Sequence, residues 1–291
     1  MGSIDHFSNG LLTPAVAYLM SCIGSALGLL CAIRARAVTG APRVRWFALA
    51  SVSIGGTGIW GMHFVGMLGF AVTDTPIRYD ATRTVVSLLL AIAVVGVGMA
   101  IIGRRGSQTT GLVVGGIVTG SGVAIMHYVG MSAMSINDDI GYDTFRVALS
   151  VLIALVASTA ALWAALNVKG VVAVTGASLI MGIAVSGMHY TGMSAMSLES
   201  NTHTSALHGV EASQFLAPLV VGVSLFTVIT LFIVALSSST GELREEAELG
   251  ARLERLAQRR TDGVAFADPA RGGPQQPGEP RRPEPDYFRA P

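Results

Sequence analysis

Ile125-Met126-His127-Tyr128-Val129-Gly130-Met131-Ser132-Ala133-Met134-Ser135 closes a long apolar run, and the fold is read outward from it. The element recurs as Gly187-Met188-His189-Tyr190-Thr191-Gly192-Met193-Ser194-Ala195-Met196-Ser197. A shorter form, Gly61-Met62-His63-Phe64-Val65-Gly66-Met67, stands upstream. The opening methionines are 64 and then 62 residues apart, the length of one helical hairpin with its loops. The three copies therefore predict parallel helices built on a repeated hairpin.

Around them the chain is 51% hydrophobic and only 13% charged over 291 residues, with a mean hydropathy of +0.59. Soluble domains carry about 25% charged residues. Seven apolar runs are each long enough to cross a bilayer as a helix, at 11–33, 46–70, 85–103, 111–133, 147–166, 170–195 and 215–236. The expected fold is an all-α, polytopic membrane protein of seven transmembrane helices. Met1 to Gly10 lacks the basic stretch of a cleavable signal peptide.

Loop charge orients it. Arg34, Arg36, Arg43 and Arg45, then Arg104 and Arg105, then Lys169 occupy alternate connections that contain no acid. The other connections hold Asp74 and Asp80, then Asp138, Asp139 and Asp143, then Glu199 and Glu211. By the positive-inside rule the N-terminus is outside and the C-terminus cytoplasmic. A retinal protein is excluded, because the one lysine, Lys169, lies in a loop and not within a helix. A net charge of +1 argues against nucleic acid as a partner; membrane lipid is the partner implied.

At 1.5 Å per residue the three histidines lie at similar depth, ~24–29 Å along their helices and towards the outer face. His63 and Met67, His127 and Met131, and His189 and Met193 are i,i+4 pairs, each on one face. Continued helix would put Met134 and Met196 on that face too. Gly58-Met62-Gly66, Gly122-Met126-Gly130 and Ala184-Met188-Gly192 form a second stripe, whose small residues let helices approach. Two readings fit the His/Met face: packing, with each imidazole satisfied by a neighbour, or a metal site. Thioether with imidazole suits copper, whereas zinc would want thiolates or more histidines. Tyr128 and Tyr190, turned ~100° from their histidines, are placed to hydrogen-bond a ligand on an adjacent helix.

These motifs resemble the bacterial MHYT-domain integral membrane sensor family, over about Leu11 to Leu236. The resemblance implies a multi-pass protein of the bacterial inner membrane that senses a diatomic gas or redox state at a copper site near the outer face. Met62, His63, Met126, His127, Tyr128, Met188, His189 and Tyr190 are the residues it implicates. Phe64 departs from the pattern and leaves copy one without a hydroxyl. A metal transporter using the same His/Met rungs is the alternative. No nucleophile triad, phosphate-binding loop or paired intramembrane carboxylate supports an enzyme.

Residues 1–236 are expected to form the membrane domain and 237–262 a charged cytoplasmic helix, with Leu243, Leu249, Leu253 and Leu256 as its apolar positions. Residues 263–291, rich in Pro, Gly and Arg, are expected to be disordered. A cytoplasmic signalling partner would be met through this tail. His203 and His208 are candidates for passing metal to the site below.

Overall fold

The computed structural model describes residues 4–5, 8, 10–72, 76–103, 108–136, 139–199, 209–237, 249, 252–256 and 258. Asp74, Arg104, Arg105, Asp138, His203, His208 and the expected disordered tail lie outside them. Two compact units divide at Ser237 and Ser238. In the second unit, residues 252–256 are helical.

The first unit is mostly helix. Six helices are long and apolar enough to cross a membrane among the described residues. They fall within α1 (Leu12–Ala37), α4 (Ala81–Ile102), α5 (Gln108–Met131), α6 (Thr144–Asn167), α7 (Val171–Ser194) and α8 (Ala212–Leu236). Leu89, Leu152, Ile180 and Phe232 are among the large apolar side chains they leave uncovered, as a lipid-facing surface requires.

The second apolar run is helical in three contiguous pieces: α2 (Ala41–Ser51), a π-helical segment (Val52–Gly61) and α3 (Met62–Met67). The backbone stays in the right-handed helical region at both junctions. Four glycines in the π segment remove side-chain bulk, and neighbours pack on its backbone. A Cβ at Gly55 would stand 2.6 Å from the Ala91 carbonyl oxygen of α4, and one at Gly24 of α1 would strike Gly58. Apolar periodicity does not report a π-helix, and this one is longer than the usual single turn.

The connections at one end add strands to the all-α expectation. β1 (Ile4–Asp5) pairs with β2 (Ala71–Val72), and β3 (Arg78–Tyr79) pairs with both β4 (Met134–Ser135) and β7 (Val210–Glu211). β5 (Asp139–Tyr142) pairs with β6 (Met196–Glu199). All pairs are antiparallel, so the N-terminal segment and the connections after α3, α5 and α7 meet at one end. Asp80 and Asp143 cap α4 and α6 there, each carboxylate accepting from the backbone N–H three residues on.

Arginines gather at the opposite end. Arg34 and Arg36 belong to the last turn of α1, and Arg43 and Arg45 to α2, so only 38–40 remain as the connection. Gly40 turns it at φ +67, a conformation few other residues adopt. Arg34 donates to the Val234 carbonyl at 2.6 Å, Arg36 to Leu166 and Val168, and Arg43 to Gly103. Three helix C-termini, those of α8, α6 and α4, thus receive cationic donors where their carbonyls lack intrahelical partners.

Candidate metal centre

Each copy of the motif brings its histidine to a common interior. His63 enters from α3, His127 from α5 and His189 from α7, and none is more than 1% exposed. His63 Nδ1 lies 3.0 Å from His189 Nδ1 and 3.1 Å from His127 Nδ1. The rings stand edge to face, with centroids 4.8, 4.9 and 5.3 Å apart.

This geometry tests the fit to a metal. Three buried imidazoles offer one ligand atom each within 4.8 Å of one another, a group able to hold an ion. A neutral imidazole has one N–H and one lone pair. His63 Nδ1 has one proton or one lone pair to share with two other Nδ1 atoms, whereas a cation among the three would engage all three lone pairs at once. The outer nitrogens offer no relief: among the described residues, Nε2 of His63 and of His127 is buried without a hydrogen-bond partner.

What surrounds Nε2 is glycine. His63 Nε2 packs where a Cβ of Gly130 would be, His127 Nε2 where that of Gly192 would be, and His189 Nε2 where that of Gly66 would be. Copy one's histidine enters copy two's glycine, copy two's enters copy three's, and copy three's enters copy one's. The stripe of small residues predicts that these glycines serve helix approach; their neighbours are instead the imidazoles.

The methionines are all buried: Met62, Met67, Met126, Met131, Met188, Met193, Met134 and Met196 are at most 6% exposed. Met67, Met131 and Met193 lie on the helices, one turn beyond their histidines. Met134 and Met196 do not continue that face. α5 ends at Met131 and α7 at Ser194, and the chain then turns, so Met134 sits on β4 against Tyr79 and Met196 on β6 against Tyr142.

Tyr128 is also placed differently from the expectation. Its hydroxyl bonds the Ser150 hydroxyl of α6 at 2.7 Å, and its ring packs edge-on against its own His127, at 5.0 Å between centroids. Tyr190 stacks likewise against His189 at 4.8 Å. In copy one Phe64 leaves Ser87, the α4 counterpart of Ser150, without a phenol, and Trp60 Nε1 donates to Ser87 at 3.0 Å instead. The sequence signal was the 63-residue interval shared by Asp80 and Asp143, Arg83 and Arg146, and Ser87 and Ser150.

One turn towards the arginine end, Ile59, Val123 and Val185 stand four residues before the three histidines. All three line an apolar cavity of about 70 Å³, with Ala157, Ala161 and Ala184 at its α6–α7 side. On the other side of the triad Phe64 packs against Tyr79, which is 2% exposed.

A multi-helical, membrane-type domain with a buried three-histidine centre built by an internal repeat is the class so defined. The repeat itself matches MHYT, the bacterial signalling protein N-terminal repeat, at residues 56–115, 120–178 and 182–251. The chain belongs to this family. It is 34% identical over 235 residues to the bifunctional diguanylate cyclase/cyclic di-GMP phosphodiesterase MucR of Pseudomonas aeruginosa, covering 79% of this chain and 34% of that protein. The signaling protein YkoW of Bacillus subtilis is 29% identical over 240 residues, covering 78% of this chain and 29% of YkoW. The cyclic di-GMP phosphodiesterase NbdA of Pseudomonas aeruginosa is 34% identical over 190 residues, 63% of this chain and 24% of NbdA. The chain thus spans about a third or less of the length of these relatives. No solved structure matches it.

Proposed function

We propose that this chain is a sensor of the bacterial inner membrane in which His63, His127 and His189 hold copper, and that a diatomic gas or a change of redox state acts there. The observation that carries the reading is the convergence of three buried Nδ1 atoms on one point. Imidazole accepts copper in either oxidation state, and the thioethers of Met67, Met131 and Met193, one turn further along, favour Cu(I). The apolar cavity beneath the triad supports a small uncharged effector, which dry cavities admit. It also favours sensing over transport. An ion path would continue its ligands towards the other end, where instead Ile59, Val123 and Val185 present hydrocarbon.

The same reading has seven crossings. β1–β2 pairing brings the chain back to its starting end by residue 72, which supports a second crossing by α2, the π segment and α3 together. Arginines at one end and Asp80, Asp143 and Glu211 at the other support an N-terminus outside and a C-terminus in the cytoplasm. Signal then leaves through the segment beyond Ser237 to a cytoplasmic partner. Because the names of two relatives refer to cyclic di-GMP, an output of that class is the one we propose. The membrane domain itself is proposed to do no catalysis.

Copper analysis of protein purified without tag or chelator tests the centre. Wild type is expected to retain copper and the His127→Ala, His189→Ala double variant to lose it; equal content in the two would refute the ligand assignment. Cysteine labelling tests the topology: a cysteine at position 104 should react only from the cytoplasmic side.

A further inference from the structure

We infer that Gly66, Gly130 and Gly192 are positioning residues of the metal centre, sockets that hold the three imidazoles so that Nδ1, and not Nε2, meets the ion. The inference rests on the proposed metal function but concerns residues and ring atoms to which that reading assigns nothing.

Two independent features of each histidine support it. Its Nδ1 belongs to the convergent set, with the 3.0 and 3.1 Å approaches centred on His63. Its Nε2 is pressed against an α-carbon that bears no side chain: Gly130 for His63, Gly192 for His127 and Gly66 for His189. In each case a Cβ would stand closer to Nε2 than non-bonded atoms approach, and Cδ2 of the same ring is the next atom met. The ring therefore cannot keep its place beside alanine. Nor does turning the ring over about its Cβ–Cγ bond present Nε2 inwards, since that exchanges Nδ1 with Cδ2 and puts Cε1 in the socket.

The consequence is selective because of what must move. At Gly120 an added Cβ meets the Leu155 Cα at 2.6 Å, and helices α5 and α6 would have to part. At Gly66, Gly130 and Gly192 it meets the tip of a side chain, which can swing about χ1 and χ2 while the helices stay. Alanine at a socket should then leave the fold standing and pull one Nδ1 out of the centre. The cyclic order makes the effect addressable. Gly130→Ala displaces His63, Gly192→Ala displaces His127 and Gly66→Ala displaces His189, each from a different copy of the motif. Gly187, two residues before His189, has nothing within 4 Å of its added Cβ and is the matched control.

The test uses the full chain, ¹⁵N-labelled at histidine, in detergent micelles, with copper(I) as the probe because its closed shell leaves spectra sharp. Long-range ¹H–¹⁵N correlation should show Nδ1 as the copper-bound nitrogen and Nε2 as protonated in all three rings. Each socket variant should bind copper(I) at least tenfold more weakly than wild type, while Gly187→Ala binds equally. Coordination through Nε2 overturns the inference, as do folded socket variants that bind copper(I) like wild type. If wild type takes no copper(I), the proposed function fails separately, and metal-free spectra still decide the sockets. Gly130→Ala must then shift the His63 ring nitrogens far more than those of His189; equal or absent shifts overturn the inference. Should a variant fail to fold, the two remaining sockets and the wild-type nitrogen assignment decide between these outcomes.

Discussion

Copies two and three close the helix ends beside the strands with an arginine. Arg83, on α4, donates to the Ser132 carbonyl just past α5, and Arg146, on α6, donates to Ser194 at the end of α7. The residue that caps each arginine-bearing helix adds a backbone bond, Asp80 N–H to Ala133 and Asp143 N–H to Ala195, both 2.8 Å. Copy one is closed otherwise: Ser8 bonds the Gly69 carbonyl through both its N–H and its hydroxyl. Copy one also has the π-helical lead-in and Phe64 for tyrosine, and its aligned serine is satisfied by Trp60. Yet its His63 makes both short Nδ1 approaches, while His127 and His189 have the widest ring separation. The repeat's least regular copy therefore supplies the hub of the centre. Approximate symmetry brings three imidazoles to one level, and the departure in one copy decides how they meet.

The hub role can be broken directly. His63→Ala should weaken copper(I) binding by about a hundredfold or more, because the two rings left are the pair with the widest centroid separation, 5.3 Å; His127→Ala or His189→Ala leaves a pair that includes His63 and should cost about tenfold, each tenfold being ~1.4 kcal/mol. Equal losses from all three, read by competition titration, would make the copies equivalent after all.

Exchanging the aromatic residues probes the same asymmetry at smaller cost. Ser87 already donates to Thr84 and accepts from Trp60, so the hydroxyl of Phe64→Tyr would enter a fully buried, packed site and compete with Trp60 for Ser87. It should destabilise by about 1–3 kcal/mol. Tyr128→Phe loses one hydrogen bond to Ser150, which already donates to Val147, and should cost about 1 kcal/mol. Chemical unfolding in micelles ranks them; a neutral Phe64→Tyr would mean that Trp60 does not take over the tyrosine's place.

Removing the helix-end caps should matter less. Arg146→Ala leaves the Ser194 carbonyl to water and should cost about 1 kcal/mol, discounted because the arginine is exposed. Ser8→Ala keeps the backbone donor to Gly69 and should cost only about a few tenths. Thermal melts that reverse this order would count against the arginine as the stronger closure.

The smallest effect concerns Tyr79 and Tyr142, again 63 residues apart, which pack against Phe64 and Tyr128 respectively. Burial raises both phenols above their ordinary value near 10, with a further upward push on Tyr142 from Tyr128. The fold thus favours the neutral form, and that contribution is whole below pH 10 and lost as pH rises through the folded value. Tyr79 is 2% exposed and Tyr142 41%, so Tyr142 should ionise first. Absorbance titration of the Tyr79→Phe and Tyr142→Phe variants distinguishes them; simultaneous ionisation would remove this difference between the copies.

Much of the architecture was legible because membrane burial writes itself along the chain. Apolar length marked the helices, and the spacing of Met62, Met126 and Met188 put the three histidines at one level. The strands were not legible: β4 and β6 are only two and four residues long, and Met134 and Met196 fit helical spacing equally well until the helix ends are known. The serine partners were half visible. Their 63-residue interval was there to find, but nothing in it said that Tyr128 turns to Ser150 and Trp60 to Ser87.

By itself the sequence determined the repeat, the apolar helices, the shared depth of His63, His127 and His189 and the presence of a glycine three residues after each. Those are properties of position along a helix, set by rise and period. Only the tertiary structure decided that each glycine receives another copy's imidazole, that Nδ1 faces inwards and that His63 is the hub. These depend on the rotation of one helix about its axis relative to its neighbours, and on the added backbone width of the π segment. Spacing along the chain carries no information about either, because helices of the same sequence period can meet through any face until packing selects one.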